Sequence, residues 1–173
     1  MRRTLLPPLT LLACVLLPAA AAAAPVKVVW RDWDTGLKQA RTTSRPVLVD
    51  VVTDWCGWCK RMDADVYSRS DVQDYLTRRF VTVRLNAESP SPATYQGKAY
   101  NGRSLAQRFQ VSGYPTTIFL RSGGDHLVNV PGYIRADRFL LLLQYIADGY
   151  MDRGVQFDDF VAQTSGAGAS GKP

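Results

Sequence analysis

An α/β fold is predicted by the way two periodicities alternate along this chain. Short apolar, β-branched runs at residues 47–52, 81–85 and 117–120 have the length and composition of buried strands. Helical stripes separate them: Leu37 and Ala40 within residues 35–43, Val72, Tyr75 and Leu76 ahead of Phe80, Leu105 and Phe109 four apart, and Phe139 to Leu143 within residues 136–148. A third observation is Ser122-Gly123-Gly124-Asp125, which reads as a hairpin turn joining residues 116–120 to 127–130.

The chain has 173 residues and 46% hydrophobic content, which suits one ordinary core. Met1-Arg2-Arg3, an apolar stretch over residues 5–17 and the small-residue zone Ala19 to Ala24 read as an export signal cleaved near Ala24. The apolar stretch is too short for a membrane anchor. Leu11-Leu12-Ala13-Cys14 also resembles a lipobox, in which Cys14 would carry a lipid. The apolar run continues through Val15-Leu16-Leu17, however, and this favours ordinary cleavage. The organisation expected is thus a signal peptide over residues 1–24, one domain over 25–163, and a disordered Gly/Ala/Ser-rich tail over 164–173.

Within the domain, residues 26–30 read as a first short strand, and Ser44-Arg45-Pro46 ends the first helix. Ser70 and Gln73 have capping-box spacing. Residues 86–101, with Ser89-Pro90-Ser91-Pro92, read as a loop that either rims a groove or is a surface excursion. Residues 157–161 add a last turn, and His126, the single histidine, falls at the hairpin turn. The net charge of +6 is scattered, which implies a solvated surface and no nucleic-acid partner.

The chemistry concentrates where the strand at 47–52 runs through Trp55 into Cys56-Gly57-Trp58-Cys59-Lys60. Two cysteines at this spacing open a helix, and the polarised N–H groups of its first turn favour a thiolate at Cys56. Cys56 then attacks, and Cys59, one turn deeper and more sheltered, resolves the mixed disulfide. Signal cleavage leaves these two as the only cysteines, so in an oxidising compartment they serve exchange and do not staple the fold. Gly57 and Trp58 tune the couple without a charge or histidine between the sulfurs. Trp55 and Trp58 offer an apolar rim for substrate, with packing on the helix as the alternative for Trp55. Asp50 lies inside the valine run, where burial raises a carboxyl pKa toward neutrality and suits it to proton transfer. Asp54 reads as a loop or helix-start residue.

Trp55-Cys56-Gly57-Trp58-Cys59-Lys60 resembles the active site of the thioredoxin superfamily, with Lys60 the last residue of the motif. The resemblance extends over residues 47–146. Asp50 stands where that superfamily keeps a buried acid, and Tyr114-Pro115-Thr116 is similar to the loop whose proline is cis. Gly132 resembles the glycine after the last strand. Arg84 aligns with a lysine near the acid, although strand alternation leaves its direction open. Within the superfamily the chain most resembles secreted proteins related to the C-terminal domain of the electron carrier DsbD.

The resemblance implies a thioredoxin-like fold, a central mixed sheet flanked by helices. It also implies a periplasmic thiol–disulfide oxidoreductase, reductase or isomerase, working without metal or organic cofactor. Catalysis would rest on Cys56, Cys59 and Asp50, and substrate binding on Trp55, Trp58, Tyr114 and Pro115, with Gly57, Lys60 and Arg84 in support. Its partners would be protein thiols and disulfides and a redox protein such as a membrane electron carrier, and it would act as a monomer. Trp58 departs from both the Gly-Pro and the Gly-His pairs of the superfamily, so the direction of electron flow stays open. A second reading is a carrier of a soft metal such as Cu(I) on the two thiolates, for which the chain offers only one distant histidine beyond the pair.

Overall fold

The computed structural model describes residues 27–169, with side chains described as far as residue 164. The elements run α1 (Trp33–Thr43), β1 (Val47–Val52), α2 (Gly57–Met62), a π-helical turn (Asp63–Tyr67), α3 (Ser70–Arg79) and β2 (Val81–Asn86). A hairpin of β3 (Ala93–Tyr95) and β4 (Lys98–Tyr100) follows, then α4 (Gly102–Arg108), β5 (Thr116–Leu120), β6 (His126–Pro131), α5 (Ala136–Ala147) and α6 (Phe157–Ala169). The main sheet has the order β2-β1-β5-β6. β1 and β2 are parallel, whereas β5 is antiparallel to both of its neighbours, so the sheet is mixed.

Alternation along the strands divides the core into two layers. Val47, Val49 and Val51 of β1 pack with Val81, Val83 and Leu85 of β2 against Trp33 and Leu37 of α1 and Leu105 of α4. Leu48 and Phe119 face the other way, onto Met62, Val66, Tyr67, Leu76 and Phe139. Asp50 of β1 and Arg84 of β2 are opposite each other in the register, and Asp50 is also opposite Thr117 of β5. This places three polar side chains in one row across the sheet.

Four expectations are corrected. Residues 27–30 form no strand: a single parallel bridge ties Arg31 to Val83, through Arg31 N–H to Thr82 O at 3.1 Å and Arg84 N–H to Arg31 O at 3.0 Å. Apolar residues were there, but the chain turns into α1 at once, where the Asp32 side chain caps the helix by accepting from Thr35 N–H.

Residues 86–101 are not simply a loop, because β3 and β4 pair within them. Gln96 and Gly97 both have positive φ, 50° and 75°, the backbone of a tight two-residue turn. Buried Tyr95 and the Trp33 indole, which donates to Thr94 O at 3.0 Å, fasten this hairpin to the α1 layer. The capping box at Ser70 and Gln73 is absent. The N-cap of α3 is Arg69, and Gln73 reaches back to donate to Tyr67 O at 2.8 Å.

The terminal turn is longer than expected, since α6 continues to Ala169 through residues read as a disordered tail. Buried Phe160, in contact with Tyr145 and Tyr150, fixes the first turns, and each further residue then needs only one hydrogen bond to extend the helix. The signal segment at residues 1–24, and Cys14 with it, lies outside the described residues, as do residues 170–173.

Phe119 is fully buried at the centre of the second layer, with its ring 5.9 Å from that of Phe80. Phe119→Ala is expected to lower unfolding free energy by about 3–5 kcal/mol, measurable as a lower urea midpoint at unchanged slope.

Candidate active site

β1 ends at Val52, and the chain crosses Thr53, Asp54 and Trp55 before α2 begins. Cys56 is the N-cap of α2: its Sγ accepts the Cys59 N–H at 3.0 Å, and its carbonyl accepts the Lys60 N–H at 3.2 Å. Cys56 and Cys59 are joined in a disulfide with Cα atoms 5.3 Å apart. Sulfur therefore takes the place that a serine or aspartate oxygen fills in an ordinary cap, where amide donors and the helix dipole favour negative charge. Sequence reasoning made Cys59 the sheltered partner. In the closed disulfide both residues are buried, 4% exposed for Cys56 and 6% for Cys59, because the bond holds the two sulfurs in one place. A Cβ on Gly57 would meet open space, so sterics do not demand glycine between the sulfurs. Lys60 is exposed on the outer face of α2.

Beneath this helix start is a partly buried ion cluster. Asp50 is 2% exposed, and its Oδ2 accepts from Arg84 Nη2 at 2.8 Å. Arg84 also donates to both oxygens of Asp63, Nη1 to Oδ2 at 3.2 Å and Nη2 to Oδ1 at 2.5 Å. The guanidinium lies 4.2 Å over the Trp30 ring, which holds it flat beside the sheet. Burial drives the Asp50 pKa above the usual carboxylate range to about 6. The Arg84 charge opposes that rise and the Asp63 charge adds to it. Burial also works against the Arg84 charge, but the hydrogen bond to Asp63 and the negative charges around it outweigh burial and raise its pKa. The open question of where Arg84 points is thus answered: it lies on the Asp50 face.

Above the disulfide lie aromatic rings. Trp55 and Trp58 are 66% and 58% exposed, uncommonly high for tryptophan. Trp55 meets the Tyr114 ring edge-on at 5.9 Å, and its indole N–H donates to Glu88 Oε1 at 3.0 Å. Trp58 leans on Tyr133 at 5.6 Å. The Tyr114–Pro115 peptide bond is cis, and Pro115 O accepts the N–H of Gly132 at 2.8 Å, so the two loops that carry Tyr114 and Tyr133 are fastened together. Gly132 takes φ of 84°, which glycine reaches without strain.

The structure therefore brings Asp50, Trp55, Cys56, Trp58, Cys59, Arg84, Tyr114 and Pro115 into one region. Asp54 stays on the loop and accepts from Asn86 Nδ2 at 2.9 Å. Sequence reasoning missed Asp63, Tyr133 and Glu88. Tyr133 was adjacent to the recognised Gly132, and Asp63 follows Cys56 by two helical turns, but nothing local marked either as part of a site. Of the 86–101 segment, Glu88 reaches the tryptophan rim, while the hairpin packs elsewhere. Among the described residues no three His, Cys, Asp or Glu side chains gather as metal ligands, and no helix is long and apolar enough to cross a membrane.

Comparison with known proteins agrees with this architecture. A family model described as a thioredoxin-like domain matches residues 33–147. The thiol:disulfide interchange protein DsbD of Ralstonia nicotianae is 34% identical over 112 residues, 64% of this chain, and the chain spans only 17% of that relative's length. A thioredoxin from Thermus thermophilus is 25% identical with a TM-score of 0.58, covering 73% of this chain and 90% of its own. A thioredoxin-fold protein from Helicobacter pylori, 20% identical with a TM-score of 0.59 over 72% and 82%, has the same fold. The mixed sheet flanked by helices is thus the thioredoxin-like fold expected from the sequence.

Asp50 makes stability depend on pH in a definite sense. Its pKa of about 6 in the folded chain exceeds the value near 3.9 of an unfolded aspartate, so between these values the folded state binds more protons than the unfolded one. Stability therefore falls as pH rises through that window. Asp50→Asn is expected to raise unfolding free energy above pH 6 by up to about 3 kcal/mol and to give no gain below about pH 4. Urea titrations from pH 4 to 8 check this, and a gain independent of pH would contradict the burial argument.

Proposed function

The chain belongs to the thioredoxin-like domain family, and on that footing we propose that it is a periplasmic thiol–disulfide oxidoreductase acting on protein disulfides. The observation that carries this reading is the Cys56–Cys59 bond at the cap of α2, with a buried carboxyl of pKa about 6 in the strand that feeds it. The Cys56 thiolate attacks one sulfur of a client disulfide, and the other client sulfur leaves as a thiolate. The mixed disulfide is then attacked at Cys56 Sγ by Cys59, whose proton passes to Asp50. The client's second sulfur departs, the Cys56–Cys59 bond closes, and two electrons have moved to the client.

Trp55 and Tyr114 on one side and Trp58 and Tyr133 on the other give the client apolar contact without closing over it. Pro115 leaves the Tyr114 backbone free to align an extended segment. Gly57 opens α2 between the two cysteines, Lys60 continues the motif on the solvent face, and Arg84 holds Asp50. The same steps in reverse oxidise a dithiol, so the pair suits reduction or isomerisation according to the redox protein that recharges it. A membrane electron carrier fits that need, and the Ralstonia relative is named as a thiol:disulfide interchange protein. Export rests on the composition of residues 1–24, and action as a monomer on the completeness of the site within one chain.

Cys59→Ser is expected to accumulate covalent complexes through Cys56, identifiable by mass spectrometry of non-reduced samples, while Cys56→Ser accumulates none. Insulin reduction with a chemical dithiol as electron source is expected to fall to the background rate in Cys56→Ser. Equal capture by the two variants would contradict the division of roles.

A further inference from the structure

Asp50 Oδ1, the Tyr67 hydroxyl and the Thr117 hydroxyl are buried and have no hydrogen-bond partner among the described residues. Groups of this kind are rare in folded proteins and call for an explanation. These three belong together. Asp50 and Thr117 are register partners on the face of the sheet that receives the π-helical turn, and that turn ends at Tyr67. The Tyr67 ring is fixed edge-on between Trp30, at 4.9 Å, and Phe139, at 5.6 Å. Burial first, and then the neighbouring Asp50 charge, keeps the phenol neutral far above its ordinary range, and the Thr117 hydroxyl also bears on it. Tyr67 in turn acts on Asp50 in the direction of a lower pKa. An aromatic sandwich needs only a phenyl ring, so packing explains the ring and leaves the hydroxyl unexplained.

We propose that Tyr67 is a positioning residue for Asp50: its hydroxyl, backed by Thr117, donates to Oδ1 of the ionised carboxylate, opposite the Oδ2 that Arg84 holds. A phenolic O–H has two favoured orientations in the plane of its ring, so it can turn to Asp50 when the carboxylate is charged and to Thr117 when the acid carries its own proton. The other charged groups that bear on Asp50 are Arg84 from β2 and Asp63 from the π-helical turn. Hydrogen bonding to the charged form alone lowers a carboxyl pKa, so Tyr67 offsets part of the effect of burial and keeps Asp50 able to release the proton it accepts. The inference rests on the proposed exchange for the use of that proton, but the contact itself stands apart from activity.

The test is the titration of Asp50 in the oxidised protein, followed by NMR of carboxyl-labelled aspartate. Tyr67→Phe is expected to move the Asp50 midpoint up by about one pH unit. Thr117→Val is expected to move it less, and the double variant no further than Tyr67→Phe alone, because Thr117 acts through the phenol. Tyr67→Phe retains the ring, so its thermal unfolding is expected to stay within a few degrees of the parent. An unmoved Asp50 midpoint in Tyr67→Phe overturns the proposal, and fully additive shifts overturn the part given to Thr117. A shifted midpoint in a protein that reduces no insulin would sink the exchange reading and leave this inference standing.

Discussion

The register of β1 between β2 and β5 is the constraint on which the site depends. Val47, Val49 and Val51 must face the α1 layer, so Leu48 and Asp50 must face the other, and a slip of one residue would exchange the two sets. With that register, Asp50 falls opposite Arg84 on one side and Thr117 on the other. The carboxyl cannot move away from the core without taking three valines with it. Hydrophobic alternation, worth far more in sum than one buried charge costs, thereby holds an acid where its charge is unfavourable. Its raised pKa follows from the packing of its neighbours.

The arginine prevents that burial from being prohibitive, and its own position is shared. Arg84 divides its donors between a buried carboxylate and a half-buried one, and the Trp30 ring covers its face. Neither carboxylate has the whole charge. Asp50 thus keeps enough electrostatic support to ionise near neutrality, and too little to bring its pKa down to the usual carboxylate range. The π-helical turn matters here because it lies directly after α2 and carries both Asp63 and Tyr67 to the Asp50 side of the sheet. A single wide turn of this kind shifts the helix face where a regular helix would continue it, which is the usual reason such turns occur beside functional groups.

Much of this was legible in the sequence, for reasons that can be stated. The β-branched runs, the Cys-x-x-Cys after a strand and the glycine-rich hairpin are local signals, and their elements formed where expected. Asp50 was legible because a carboxyl among valines is locally anomalous. What escaped depended on tertiary contact. The β3–β4 hairpin hid behind Pro90 and Pro92, although Gln96-Gly97 was a turn signal, and its pairing was decided by Tyr95 packing on Trp33. The strand expected at residues 26–30 had the composition but no room, as β2 offers one bridge before α1 begins. Asp63 and Tyr133 carry no anomaly of their own, and only the fold brings them to Arg84 and Trp58.

Access alone does not rank the two sulfurs, because the closed disulfide buries both residues almost equally. What separates them is the field around each. Cys56 occupies the cap, with the Cys59 amide directed at its sulfur, so the helix start favours negative charge there. Cys59 lies inside the first turn, and in the proposed exchange it sheds its proton to a base before it attacks. A buried acid whose pKa lies near neutrality is suited to that second sulfur and superfluous for the first. On the proposed exchange the order of attack is electrostatic in origin: the helix start favours the thiolate of one cysteine, and the acid in the strand beneath takes the proton of the other.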